Sequence, residues 1–147
     1  MGQTPKIAAV GEILVEFVSH QPGCELKQIG DYSGAYPSGA RAIFLDLAAR
    51  MEVATEMFGG VGNDGFGQSV LNRLQADGVG TRGVTVNADQ TTGVAFVSYY
   101  GDGNRDFIFH QTNTGADHFT VPEGILTPSE TILHVSAASL GPPGCAR

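Results

Sequence analysis

The chain has 147 residues, 41% of them hydrophobic and 16% charged, enough apolar material for one folded domain and too much for global disorder. A net charge of −7, from 15 acids against 8 bases, disfavours nucleic acid or an anionic membrane surface as partner. It does not exclude a small phosphorylated ligand, which a local helix end can hold.

In chain order, Lys6–Val18 is nearly continuous apolar sequence and predicts a buried parallel strand. Glu12 and Glu16 interrupt it, so it does not resemble a signal peptide. No run of 18 apolar residues exists, so no membrane span is expected. Residues 21–37 are irregular and glycine-rich, with room for a short exposed pair of strands. Ala40–Met51 predicts a helix with apolar residues on almost every face. Val53–Phe58 predicts a strand, and Phe66–Asp77 a second helix with Phe66, Val70, Leu71 and Leu74 on one face and Gly78 as its stop. Val84–Val86 predicts a third strand. Val94–Tyr100 and Arg105–His110 flank Gly101-Asp102-Gly103-Asn104, a strong hairpin signal. Ile132–Val135 predicts another buried strand, with His134 as a core histidine. The alternation of strands and helices predicts a parallel α/β sheet with an antiparallel element inserted. Leu140-Gly141-Pro142-Pro143-Gly144 leaves no length for a crossover helix before Arg147, so a chain cut within a domain is expected. The two distant cysteines, Cys24 and Cys145, read as free thiols of a reducing compartment, and the cytoplasm is the expected location.

Three stretches offer chemistry. Ser38-Gly39-Ala40-Arg41 opens the first helix. Ser38 is either a simple N-cap or part of a backbone-lined mouth for a hydroxylated ligand, with Gly39 allowing close approach. Arg41 there faces solvent or a nearby acid, and Asp46 and Arg50 are spaced to pair on the helix surface. Glu16 lies towards the end of a strand, where an acid can accept hydrogen bonds from sugar hydroxyls or simply be solvated. Gly60-Val61-Gly62-Asn63-Asp64-Gly65 matches the dinucleotide fingerprint, with Asp89 near the end of the next strand. Asn63 or Asp64 capping a helix after a tight glycine turn explains the same residues, and a loop near a sugar is a third option. The histidines His20, His110, His118 and His134 have no metal spacing. Nor is there a nucleophile elbow or a P-loop.

Taken together, Val10-Gly11-Glu12, Ser38-Gly39-Ala40, Leu47-Ala48-Ala49-Arg50, Gly60–Gly67, Leu74–Val79, Thr92-Gly93-Val94-Ala95, Gly103-Asn104-Arg105 and Ile132–Ser136 resemble the N-terminal half of the ribokinase/PfkB carbohydrate kinases. Within that family the chain is most similar to kinases of ketoses or keto-deoxy sugar acids, such as fructokinase and 2-keto-3-deoxygluconate kinase. The resemblance implies a Rossmann-like α/β sandwich with a small β-sheet lid, near residues 13–35 and 92–110, that closes over the sugar and often forms a dimer contact. It implies a sugar or sugar acid at Glu16, Ser38, Gly39, Ala40 and Arg41, with Arg105 and His110 contributed by a lid strand.

Two departures stand out. Ile43 replaces an asparagine of many members, and Arg41 replaces a small residue or proline, where a cation would suit a carboxylate-bearing sugar. The family uses ATP and Mg2+, with a catalytic aspartate in a Gly-Ala-Gly-Asp motif of the C-terminal half. That motif is not in these 147 residues. The expectation is a sugar-binding, lid-bearing portion that is inactive alone. The rivals are a non-catalytic sugar-binding or dimerisation module and a dinucleotide-binding domain.

Overall fold

A computed structural model of the chain describes residues 6–121, 123–124 and 131–135. The apolar run at its start is not one strand. It divides at Gly11 into β1 (Lys6–Val10) and β2 (Leu14–Ser19), which belong to different sheets. The N–H of Gly11 still donates to Phe58 O at 3.0 Å, and the chain then leaves the first sheet.

The first sheet is parallel throughout. It contains β4 (Thr55–Gly62), β5 (Gly80–Asn87) and β8 (Thr131–His134), in the order β5-β4-β1-β8. Helix α1 (Ala40–Arg50) leads into β4, and α2 (Gly65–Ala76) links β4 to β5. Val70 and Leu74 of α2 and Ala42 and Leu45 of α1 bury against Ala9, Met57 and Val61 of the sheet, together with Ile13, Val15 and Val79. Helix α2 stops where expected. Gly78 takes φ 90°, and the N–H of Val79 donates back to Leu74 O at 2.9 Å. Arg50 pairs with Asp46 at 3.3 Å and with Asp77 at 3.0 Å, tying the C-terminal ends of the two helices together.

The second sheet contains β3 (Tyr32–Ser38), β6 (Gly93–Tyr99) and β7 (Arg105–His110), in the order β3-β2-β6-β7. Strands β2 and β6 are parallel, with antiparallel partners outside them. Residues 21–37 thus supply one strand rather than a pair. The hairpin turn is closed by the Tyr100 N–H donating to Asn104 O at 2.8 Å.

The first glycines of the motif lie in a strand, and the turn into α2 is confined to Asn63 and Asp64. Strand β4 runs through Gly59-Gly60-Val61-Gly62, every residue buried. A Cβ on Gly59 would lie 2.4 Å from Gly11 O, on Gly60 2.0 Å from Gly115 O and on Gly62 2.4 Å from Gln90 O. These glycines let three backbone segments close on the strand, the second through a 3-10 turn at Gly115–Asp117.

Burial is also less complete than the sequence suggests. Helix α1 buries Arg41, Ala42, Leu45 and Ala48 and exposes Ile43, Phe44 and Leu47. On β8, Ile132 and Leu133 are exposed. His134 is half-buried, stacked on Phe44 at 4.4 Å, and is not a core residue. The expectations for Leu140–Gly144, Cys145 and Arg147 lie outside the described residues.

Candidate functional site

The mouth of α1 is built where three segments meet. Antiparallel pairing of β2 with β3 places Leu14 opposite Ser38 and Glu16 opposite Tyr36. The Ser38 hydroxyl donates to Glu16 Oε2 at 3.3 Å, so Ser38 is not the N-cap. Gly39 is the residue preceding the helix, and no side chain caps α1. The positive end of the helix therefore faces a buried serine and a half-buried carboxylate.

Gly39 does permit a close approach, but by the chain itself. It adopts φ 108°, and a Cβ there would lie 2.5 Å from Glu12 O. For Arg41 the structure gives the nearby acid of the two alternatives. The residue is fully buried rather than turned to solvent, and its guanidinium forms an ion pair with Glu12. Its side chain lies against Gly11, where a Cβ would fall 2.3 Å from Arg41 Cδ. The β1–β2 crossing and the first turn of α1 are thus interlocked through two glycines and one ion pair.

The structure groups Glu16, Ser38, Gly39 and Ala40 and separates the two candidates on β7. Glu16, Ala95 and Phe109 lie opposite one another across β2, β6 and β7, whereas His110 lies opposite Val94 and Val15. Because side chains alternate along a strand, Glu16 and His110 project from opposite faces of the second sheet. His110 stands edge-on to Phe96, which in turn stacks on Phe17. Arg105 pairs with Tyr99 at the other end of β7, four residues from Phe109 or about 14 Å along the strand. It sits over the Phe107 ring, 5.2 Å from the centroid.

At the second helix mouth, Asp64 is the N-cap of α2, as one of the sequence alternatives has it. Its carboxylate accepts from the Gly67 N–H at 2.8 Å, the Thr92 N–H at 2.8 Å and the Thr92 hydroxyl at 2.7 Å. Thr92 Oγ1 also accepts from the Gly62 N–H at 3.0 Å, a role its sequence context does not announce. Burial pushes the Asp64 carboxyl up, but the donors from Gly67, Thr92 and Phe66 outweigh it and hold it below the ordinary carboxylate value. Asp64→Asn is expected to cost about 1–2 kcal/mol at neutral pH. A carboxyl with a depressed folded pKa stabilises above its unfolded pKa and loses that contribution as pH falls through the folded value. The gap between the parent and Asp64→Asn should therefore close below about pH 4, as urea titrations across pH 2–7 will show.

Residues 4–145 match the model of the pfkB family of carbohydrate kinases. The chain belongs to this family. It is 30% identical over 137 residues to a fructokinase of Solanum tuberosum, covering 91% of this chain and 42% of that protein. It is 33% identical over 116 residues to fructokinase-1 of Oryza sativa subsp. japonica, covering 79% and 35%. Among solved structures it matches a protein of E. coli, provisionally named ribokinase II and determined in complex with ATP and Mg2+. The TM-score is 0.86 at 40% identity, covering 96% of this chain and 46% of that one. An uncharacterized sugar kinase from Pyrococcus horikoshii matches with a TM-score of 0.74 at 28% identity, covering 81% and 40%. The two-sheet α/β architecture is thus the ribokinase-type fold. The chain spans about two fifths of the length of the curated relatives it matches.

The mouth of α2 in this pfkB-family chain does not fit a nucleotide phosphate. The glycine-rich mouth of α2 already receives the Asp64 carboxylate, which would repel a phosphate. Among the described residues there is no cluster of three potential metal ligands and no helix long and apolar enough to cross a membrane. The buried Glu56 accepts from Lys6 and Arg82, both at 3.1 Å, near the start of β4. Its partners on β1 and β5, the strands on either side of β4, make it a structural tie.

Proposed function

We propose that this chain is the sugar-binding, lid-bearing portion of an ATP-dependent kinase that transfers a phosphoryl group to a hydroxyl of a sugar or sugar acid. The observation behind it is the mouth of α1, where no side chain caps the helix and a hydrogen-bonded Glu16–Ser38 pair lies alongside. A carboxylate accepts from hydroxyls, and helix N–H groups donate to hydroxyl oxygens, so the two together suit a polyhydroxylated ligand. Membership of a carbohydrate kinase family supports the same substrate class.

Phosphoryl transfer depends on positioning and charge stabilisation around the phosphates. The described residues supply neither, so the chain alone is expected to be inactive, with ATP and Mg2+ belonging to the whole protein. We place that protein in the cytoplasm. A second reading is a non-catalytic sugar-binding module that pairs through the second sheet. It draws on β7, which is exposed along its whole length with Phe107, Ile108 and Phe109 on it. Dinucleotide binding is the weakest alternative, because Asp64 fills the helix mouth it would need.

A coupled ADP-release assay and calorimetric titration of the 147-residue chain separate these readings. The expected result is sugar binding without sugar-dependent ADP release. Turnover that rises with sugar and is lost in Glu16→Ala would show an active chain. Binding of NAD but not of sugar would favour the dinucleotide reading.

A further inference from the structure

Resting on the sugar-binding mouth proposed above, a finer statement about its ligand comes from the placement of every cation. The chain has eight lysines and arginines. Lys6 and Arg82 serve Glu56, and Lys27 pairs with Glu25. Arg50 and Arg73 pair with Asp77 at the C-terminal ends of the helices. Arg105 occupies the far end of β7, opposite Tyr99. Arg147 lies outside the described residues. Arg41 is thus the one described lysine or arginine at the mouth, and it is committed to Glu12 with its side chain fully buried. Of the histidines, His110 projects from the other face of the second sheet, His20 meets Ser33, His118 meets Thr114 O and His134 stacks on Phe44.

We infer that the Glu12–Arg41 pair sets specificity, masking the one described lysine or arginine near the mouth so that Glu16 leaves the mouth mildly acidic and selective for neutral sugars over sugar carboxylates. A ligand carboxylate would meet Glu16 with no described lysine or arginine in reach, and the partial positive charge of the α1 N-terminus, about half a unit, offsets only part of the full charge of Glu16, so like charges repel. Arg41 here is a positioning and charge-setting residue and does not touch the ligand. Gly11 and Gly39 hold it in place, because neither position has room for a Cβ beside Arg41 or Glu12.

The test is a charge cycle, read by calorimetry as the ratio of affinities for a neutral ketohexose and for a keto-deoxy sugar acid. The parent should prefer the neutral sugar. Glu12→Gln exposes the field of Arg41 and should shift the ratio towards the acid by about tenfold. Glu12→Gln with Arg41→Met removes both charges and should return the ratio to the parent's. Glu12→Gln leaves a buried cation without its carboxylate and risks misfolding. Arg41→Met therefore gives a second arm: it bares Glu12 and should lower acid affinity further, with the double variant restoring it. A parent that prefers the acid, or a ratio indifferent to these changes, overturns the inference while leaving the sugar mouth standing. Failure of the parent to bind either sugar overturns the sugar mouth itself, and the inference with it.

Discussion

Gly60→Ala is expected to abolish cooperative folding of the chain, although it adds one methyl group. The new Cβ would lie 2.0 Å from Gly115 O, 3.0 Å from Gly115 C and 3.1 Å from His118 O. All three are backbone atoms, which cannot swing aside as a side chain can. Moderate overpacking costs about 1–3 kcal/mol and backbone clashes more, against a total stability of ~5–15 kcal/mol. Gly65 is the control, because a Cβ there meets nothing within 4 Å. Gly65→Ala should leave stability unchanged or raise it by up to ~1 kcal/mol, since alanine favours the helix. Circular dichroism melts of the two variants check the pair. A sharp parent-like melt for Gly60→Ala would show that the β4 backbone contacts are not as close as described.

The second large effect concerns association. Ile43, Phe44, Leu47 and Met51 on and just beyond α1, and Ile132, Leu133 and Val135 on and beside β8, are all exposed. Phe44 stacks on His134, so the exposed face of α1 and the face of β8 that carries Ile132 and His134 form one patch, with Leu133 on the other face of the strand. Burying each large apolar side chain fully is worth ~1.5–3 kcal/mol. An apolar patch beside a strand at the end of a sheet is a template for association. The 147-residue chain should therefore scatter light as an oligomer at low micromolar concentration and bind an apolar dye. Leu47→Glu combined with Ile132→Lys should suppress both. A compact monomer without dye binding would contradict this.

Local chemistry made much of the fold legible. The α2 stripe, its Gly78 stop, the Asp64 cap and the Gly101–Asn104 hairpin all rest on contacts a few residues apart, where spacing carries the information. The failures have a common cause in contacts distant along the chain. A nearly continuous apolar run gives no sign that β1 ends and β2 begins in another sheet. Glycines in β4 look like turn residues because what they accommodate, the backbone at residues 11, 90 and 115, is remote in sequence. Ser38 has the composition of a cap, yet its partner is Glu16, 22 residues away, and Arg41 is claimed by Glu12, 29 residues away. For the site, the same limit let His110 and Arg105 stand beside Glu16 as candidates. Only the strand register puts one on the opposite face and the other at the far end of β7.

The central claim is that the mouth of α1 receives a sugar through Glu16 and the helix N–H groups. Amide correlation spectra of the labelled chain, titrated with a neutral ketohexose, test it most directly. The account predicts saturable shifts confined to Glu16 and Ser38–Ala42, abolished in Glu16→Gln while the melting temperature holds. Saturable shifts centred instead on Asp64 and Gly65–Gly67, or shifts at Ser38–Ala42 that persist undiminished in Glu16→Gln, would contradict it.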